Sequence, residues 1–146
     1  MLQMEVRSIP LAQTRQLRQE VLRPLSSLQD LASHEPSGSV AFGAYDGDEL
    51  VAVGLVGRDG EQPGDWRVRG MATKPQARGR GAATRILQAL VQHAVAQGAT
   101  RVWCNARTPA RSLYERLGFV VASEEFEPPD IGPHYRMELP VTSGHG

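Results

Sequence analysis

The hexapeptide Gln76-Ala77-Arg78-Gly79-Arg80-Gly81 lies between a strand-like run, Trp66 to Thr73, and an amphipathic helical stretch that continues to Gln97. A strand, a glycine-rich turn and a helix N-terminus form a cradle for anions. Glycine lets the backbone approach a ligand closely, and the first helical turn presents N–H groups that have no partner within the helix. Lys74, Arg78 and Arg80 add positive charge beside those amides, which suits a ligand with several phosphates. Two nucleotide-binding patterns do not fit. A Walker loop requires Gly-Lys-Ser/Thr after four intervening residues, and no such run occurs. The dinucleotide fingerprint requires a third glycine where the chain has Thr84, and an acidic residue about 20 positions on that is missing here.

The pattern Gln/Arg-x-x-Gly-x-Gly/Ala between strand and helix resembles the acetyl-CoA signature of the GNAT superfamily of N-acetyltransferases. The order of the flanking segments is also similar to that family. Arg67-Val68-Arg69-Gly70-Met71-Ala72-Thr73 precedes the loop and Arg101-Val102-Trp103-Cys104-Asn105 follows the helix. Next comes Thr108-Pro109-Ala110-Arg111-Ser112-Leu113-Tyr114-Glu115-Arg116-Leu117-Gly118-Phe119, which resembles the family's Ala-x-x-x-Tyr-x-x-x-Gly-Phe element. Residues 40–139 carry the resemblance. It implies an α/β, single-domain GNAT fold: a mixed, mostly antiparallel sheet of roughly six or seven strands flanked by about four helices. Acetyl-CoA would lie in the splay between two central strands.

The resemblance assigns roles along that splay. Backbone groups of Met71, Ala72 and Thr73 would pair with the pantetheine arm, and an N–H near Met71 or Ala72 would polarise the thioester carbonyl. Amides around Arg78, Gly79, Arg80, Gly81, Ala82 and Ala83 would hold the pyrophosphate. Asn105, Ala110 and Leu113 would flank the thioester end. Acetyl transfer to an amine by direct attack needs one proton removed from the ammonium and one delivered to the departing thiolate. Tyr114 is the candidate donor, since a phenol and an alkylthiolate are of roughly comparable basicity; the competing reading makes it a core aromatic on a buried helix face. His134, in Ile131-Gly132-Pro133-His134-Tyr135, resembles a turn of one GNAT subgroup and is the candidate base. Its competing reading is a structural hydrogen-bonding histidine. Many relatives carry Asn where this chain has Arg107, so Arg107 is either a surface charge or a contact to a CoA phosphate. Arg18, Arg23, His34 and Glu35 belong to a first helix and loop that would wall the acceptor site.

Composition bounds these readings. Sixteen Lys+Arg balance sixteen Asp+Glu, an unfavourable charge balance for a nucleic-acid or anionic-membrane partner. Cys104 is the only cysteine, and His34, His93, His134 and His145 lack metal-ligand spacing, so neither disulfide nor metal is expected. Cys104 reads as a small buried hydrophobe rather than a nucleophile. The N-terminus lacks a signal-peptide pattern and no apolar run approaches a membrane span, so a cytoplasmic protein is expected. The partner would be a small-molecule or peptide amine, with a homodimer compatible with the family. The alternative functions are a non-catalytic acyl-CoA-binding regulator and an RNA-associated module.

The elements follow from pattern. Leu2, Met4 and Val6 alternate as in a strand, and Pro10 opens a helical stretch to about Leu22. Pro24 to Ser39 reads as loop or broken helix. Val40–Tyr45 and Leu50–Val56 form a hairpin about Asp46-Gly47-Asp48-Glu49. Ala83, Ile86, Leu87, Leu90, Val91, Ala94 and Val95 mark the inward face of the long helix, which Gly98 ends. Thr108 is expected to N-cap the next helix with Pro109 at its first position. Strands Phe119–Ser123 and Tyr135–Pro140 bracket a Pro-rich loop, and residues 141–146 form a flexible tail.

Overall fold

The computed structural model describes residues 4–129 and 131–141. Leu2 and residues 142–146 of the expected tail lie outside them. Val141 does not belong to a tail: its N–H donates to the Thr100 carbonyl at 3.0 Å and its side chain packs against the core.

Seven strands form one sheet: β1 (Glu5–Ile9), β2 (Ser37–Asp46), β3 (Glu49–Arg58), β4 (Asp65–Thr73), β5 (Arg101–Arg107), β6 (Val120–Val121) and β7 (His134–Pro140). Their order across the sheet is β1-β2-β3-β4-β5-β7-β6. Every neighbouring pair is antiparallel except β4 and β5. Four helices cover it: α1 (Arg15–Leu22), α2 (Leu28–Ser33), α3 (Ala82–Ala96) and α4 (Arg111–Arg116). Helix α2 falls in the segment expected to be loop or broken helix, and Ser27 caps it by accepting from the Asp30 N–H at 3.0 Å.

Strand β3 reads as a nearly unbroken apolar run because both its faces are covered. Val53 and Leu55 pack with Leu17 of α1, whereas Ala52 and Val56 pack with Ile86, Leu87 and Leu90 of α3. The α3 stripe ends at Ala94. Val95, expected to face inward, is 44% exposed. At 3.6 residues per turn it sits ~125° around from the centre of the buried stripe.

Two further expectations change. Thr108 does not cap α4: residues Thr108–Ala110 form a 3-10 turn, and the Thr108 hydroxyl donates to Glu125 Oε2 at 2.7 Å. A carboxylate acceptor there holds the hydroxyl away from the helix amides. The strand expected over Phe119–Ser123 shrinks to Val120–Val121, because the Ser123 side chain accepts from the Arg136 N–H and displaces a ladder bond.

Strand β4 determines the shape of the cleft. Its register against β3 runs Leu55 to Arg69 and then Val53 to Ala72, so one strand has an extra residue beside Gly70. That bulge reverses the facing of the side chains. Trp66 and Val68 lie in the α3-side cluster, yet Ala72, two pleats on, lies in the α1-side cluster. On its other edge β4 pairs with β5 only from Asp65/Arg101 to Arg67/Trp103. Beyond that point the two parallel strands part, and β5 continues its ladder with β7 alone.

Candidate active site

The parting of β4 and β5 opens a cleft of about 620 Å³. Met71 and Thr73 line it from β4, Asn105 and Arg107 from β5, Ala110, Leu113 and Tyr114 from the α4 region, Arg78 and Ala83 from the loop and α3, and His134 from β7. The cleft thus gathers sequence-nominated residues from five parts of the chain. Ala72 is buried on the α1 side and offers only its backbone.

The loop before α3 has the geometry its glycines allow. Gly79 and Gly81 adopt φ of +78° and +83°, left-handed conformations disfavoured for residues with a Cβ, and no heavy atom stands within 4 Å of where either Cβ would be. Conformation and access, not crowding, select glycine there. Arg85 makes the helix's first backbone bond, to the Gly81 carbonyl at 3.1 Å, leaving the amides of Ala82, Ala83 and Thr84 without intrahelical acceptors. Of the three nearby cations, only Arg78 lines the cleft. Arg80 pairs with Asp46 at 2.9 Å and Lys74 with Glu49 at 2.8 Å, both carboxylates of the β2–β3 turn.

Tyr114 is 5% exposed and packs edge-on against Phe119 with ring centroids 5.4 Å apart. Burial, followed by the adjoining Cys104 side chain, pushes its hydroxyl well above the usual phenol range, so it stays protonated at neutral pH. Its ring is a core aromatic and also borders the cleft, so the two readings of the residue coexist. Burial likewise pushes the Cys104 thiol up to about 12, which leaves almost no thiolate near neutral pH.

His134 is 5% exposed, stacks on Phe126 and bonds through Nδ1 to the Gly132 carbonyl at 2.8 Å. A carbonyl only accepts, so Nδ1 carries the proton and the neutral ring keeps its lone pair on Nε2. The hydrogen bond is structural, and it also fixes the tautomer a base requires.

The other wall comes from α1 and α2. Arg18 and Glu35 are buried against each other at 2.7 Å, and Arg15 completes the pair on the outer side. Arg23 and His34 line the cleft directly. Arg107 is neither a surface charge nor free: it donates to the Leu22 carbonyl at 2.8 Å and ties the end of α1 to β5. Trp66 lies on the α3 side, edge-on to His93, and takes no part in this wall. Trp103 is buried, with the guanidinium groups of Arg67 and Arg136 over its ring at 4.5 and 4.1 Å. Arg69 was not singled out from sequence, although it too lines the cleft. The signal was available: Arg67 and Arg69 put two charges, at a spacing of two, on a strand that the α/β pattern makes central.

Among the described residues no group of His, Cys, Asp and Glu is placed to hold a metal ion, and no helix is long and apolar enough to cross a membrane. The sequence pattern of the acetyltransferase (GNAT) family matches residues 4–119. An uncharacterized N-acetyltransferase of Bacillus subtilis (strain 168), YitI, is 28% identical over 140 residues, which cover 92% of this chain and 94% of that one. The fold is similar to that of the ribosomal-protein-S18-alanine N-acetyltransferase from Escherichia coli, with a TM-score of 0.78 at 18% identity over 98% of this chain and 97% of that one. A Bacillus subtilis acetyltransferase solved in complex with CoA is similar at a TM-score of 0.71 and 17% identity, covering 97% of this chain and all of that one (100%).

Proposed function

Because the chain belongs to the acetyltransferase (GNAT) family, we propose that it moves an acetyl group from acetyl-CoA to the primary amine of a small-molecule or peptide acceptor by direct attack. The observation that carries this reading is the coincidence of three features in one cleft: unpaired β4 backbone, an amide-rich glycine loop at one end, and Tyr114 with His134 lining the same space.

Acetyl-CoA supplies an activated thioester; the protein's part is to hold it, orient the amine and move protons. The amides of residues 79–83 and the Arg78 guanidinium bind the pyrophosphate, with Arg80 serving through its backbone. The free edge of β4 at Met71, Ala72 and Thr73 holds the pantetheine arm as an added strand would be held, and Asn105, Ala110 and Leu113 border its end. A β4 N–H at Met71 or Ala72 donates to the thioester carbonyl, a contact worth about 3 kcal/mol where charge develops on the oxygen. His134 Nε2 accepts the amine's proton directly or through one water, and Tyr114 Oη donates to the departing thiolate.

The test is thiol release from acetyl-CoA against a panel of amines. Release that depends on one class of amine supports the transferase. Binding of acetyl-CoA with no release for any amine would favour a regulator that keeps the cofactor and does no chemistry.

A further inference from the structure

The wall of the cleft beyond the Gly70 bulge, away from the glycine loop, is unusually cationic. Arg23, Arg67, Arg69 and Arg107 all line the cleft, and no Asp or Glu does so among the described residues. Arg23, Arg69 and Arg107 have no carboxylate at salt-bridge distance among those residues, and Arg67 has Asp59 only at 3.5 Å. The Arg67 Nε is buried without a hydrogen-bond partner. Arg18, which also lines the cleft, is neutralised by Glu35, and Arg101 outside it by Asp65. Among the described residues Arg23, Arg69 and Arg107 have no such carboxylate.

These guanidinium groups feel one another. Burial, then the field of Arg67, lowers Arg69 to about 10, and burial, then Arg23, lowers Arg107. Both remain charged near neutral pH. Clustered, partly desolvated like charges oppose folding, so the sequence retains them against a stability cost. An oxyanion entering the cleft would relieve it. Arg78 belongs to the glycine loop assigned above to the pyrophosphate and follows the bulge in the chain, whereas Arg67 and Arg69 precede it on β4.

We infer that the acceptor is a small amine that also carries an oxyanion, a carboxylate or a phosphate, which Arg69 and Arg23 hold with Arg67 behind them. This inference rests on the acetyltransferase reading and specifies the substrate of that site. It disfavours polyamines and aminoglycosides, whose several ammonium groups would meet a cationic wall with nothing to accept them. The same field works for the chemistry: it depresses the pKa of the bound ammonium and so raises the fraction of neutral nucleophile, while the oxyanion supplies the attraction.

The test uses matched amines with acetyl-CoA and the full chain: 4-aminobutyrate, its amide, 2-aminoethyl phosphate and spermidine. Turnover of the oxyanion-bearing amines at a kcat/KM at least tenfold above that of 4-aminobutyramide and spermidine is expected, and the better of the two identifies carboxylate or phosphate. Arg69→Gln and Arg23→Gln should each lower that kcat/KM at least fivefold, mainly through KM, with the Kd for acetyl-CoA unchanged. Glutarate, a dicarboxylate with no amine, should bind the CoA-loaded protein in calorimetry and bind less well to both variants. Equal or better turnover of spermidine, or glutarate binding that is absent or indifferent to Arg69 and Arg23, overturns the inference while leaving the transferase intact. Failure to bind acetyl-CoA at all removes both.

Discussion

Replacing Glu35 with Gln tests whether the α1–α2 wall of the cleft is held by a buried ion pair. The Arg18 and Glu35 side chains are 5% and 7% exposed. Glu35 Oε2 accepts from Arg18 at 2.7 Å and from Arg15 Nε at 3.0 Å, while Oε1 accepts from Arg15 at 3.0 Å. Arg18 also donates to the Thr14 hydroxyl and the Leu31 carbonyl, and its Nε would lie 2.8 Å from a Cβ placed on Gly70. The pair therefore braces the β4 bulge from behind. Breaking a buried pair by removing one charge costs about 3–5 kcal/mol; glutamine keeps the shape and one accepting oxygen, so about 2–3 kcal/mol is expected. For a chain of this length that corresponds to roughly 5–10 °C in Tm. The pH dependence adds a second signature. Burial alone would raise the Glu35 carboxyl, but its bonds to Arg15 and Arg18 outweigh that and hold it below the ordinary range. A carboxylate with a lowered folded pKa contributes stability that is complete above its unfolded pKa and is lost as pH falls through the folded value. Urea unfolding across the acid range should thus show a shallower loss for Glu35→Gln than for the wild type. A change under about 1 kcal/mol, with the acid slope intact, would refute the bracing role.

Tyr114→Phe should lower kcat by roughly tenfold to a hundredfold with little change in acetyl-CoA affinity, as measured by steady-state kinetics beside calorimetry; an unchanged kcat removes Tyr114 from the chemistry. His134→Gln should abolish the acidic limb of the pH–rate profile, and a limb that persists means another group is the base. Gly81→Ala forces a Cβ into φ of +83°, a cost of about 1 kcal/mol that the loop relieves by moving its amides. Titration should then show acetyl-CoA binding weakened at least fivefold, and unchanged binding would detach the loop from the pyrophosphate.

The legible parts of this chain were those encoded by local periodicity and turn chemistry. The α3 stripe, the β2–β3 hairpin and the glycine loop are each specified within a few residues, and the GNAT order followed from them. The single extra residue beside Gly70 was not legible, because a bulge is defined by its partner strand and β3 lies outside the local pattern. Nor could the capture of Arg80 and Lys74 by the Asp46 and Glu49 carboxylates be read, because those partners come from a turn distant in sequence. Thr108 failed as a cap because a residue seventeen positions on, Glu125, claims its hydroxyl. Arg107, read as either a surface charge or a contact to a CoA phosphate, donates to the Leu22 carbonyl and ties α1 to β5. In each instance a long-range contact overrode a sound local rule.

The central claim is that the gap between β4 and β5 holds acetyl-CoA, and the most direct test is calorimetric titration of the protein with acetyl-CoA. One-to-one binding in the micromolar range is expected, weakened at least tenfold by Arg78→Ala combined with Gly81→Ala and unaffected by Arg69→Gln. No binding, or binding that ignores the loop substitutions, would contradict it.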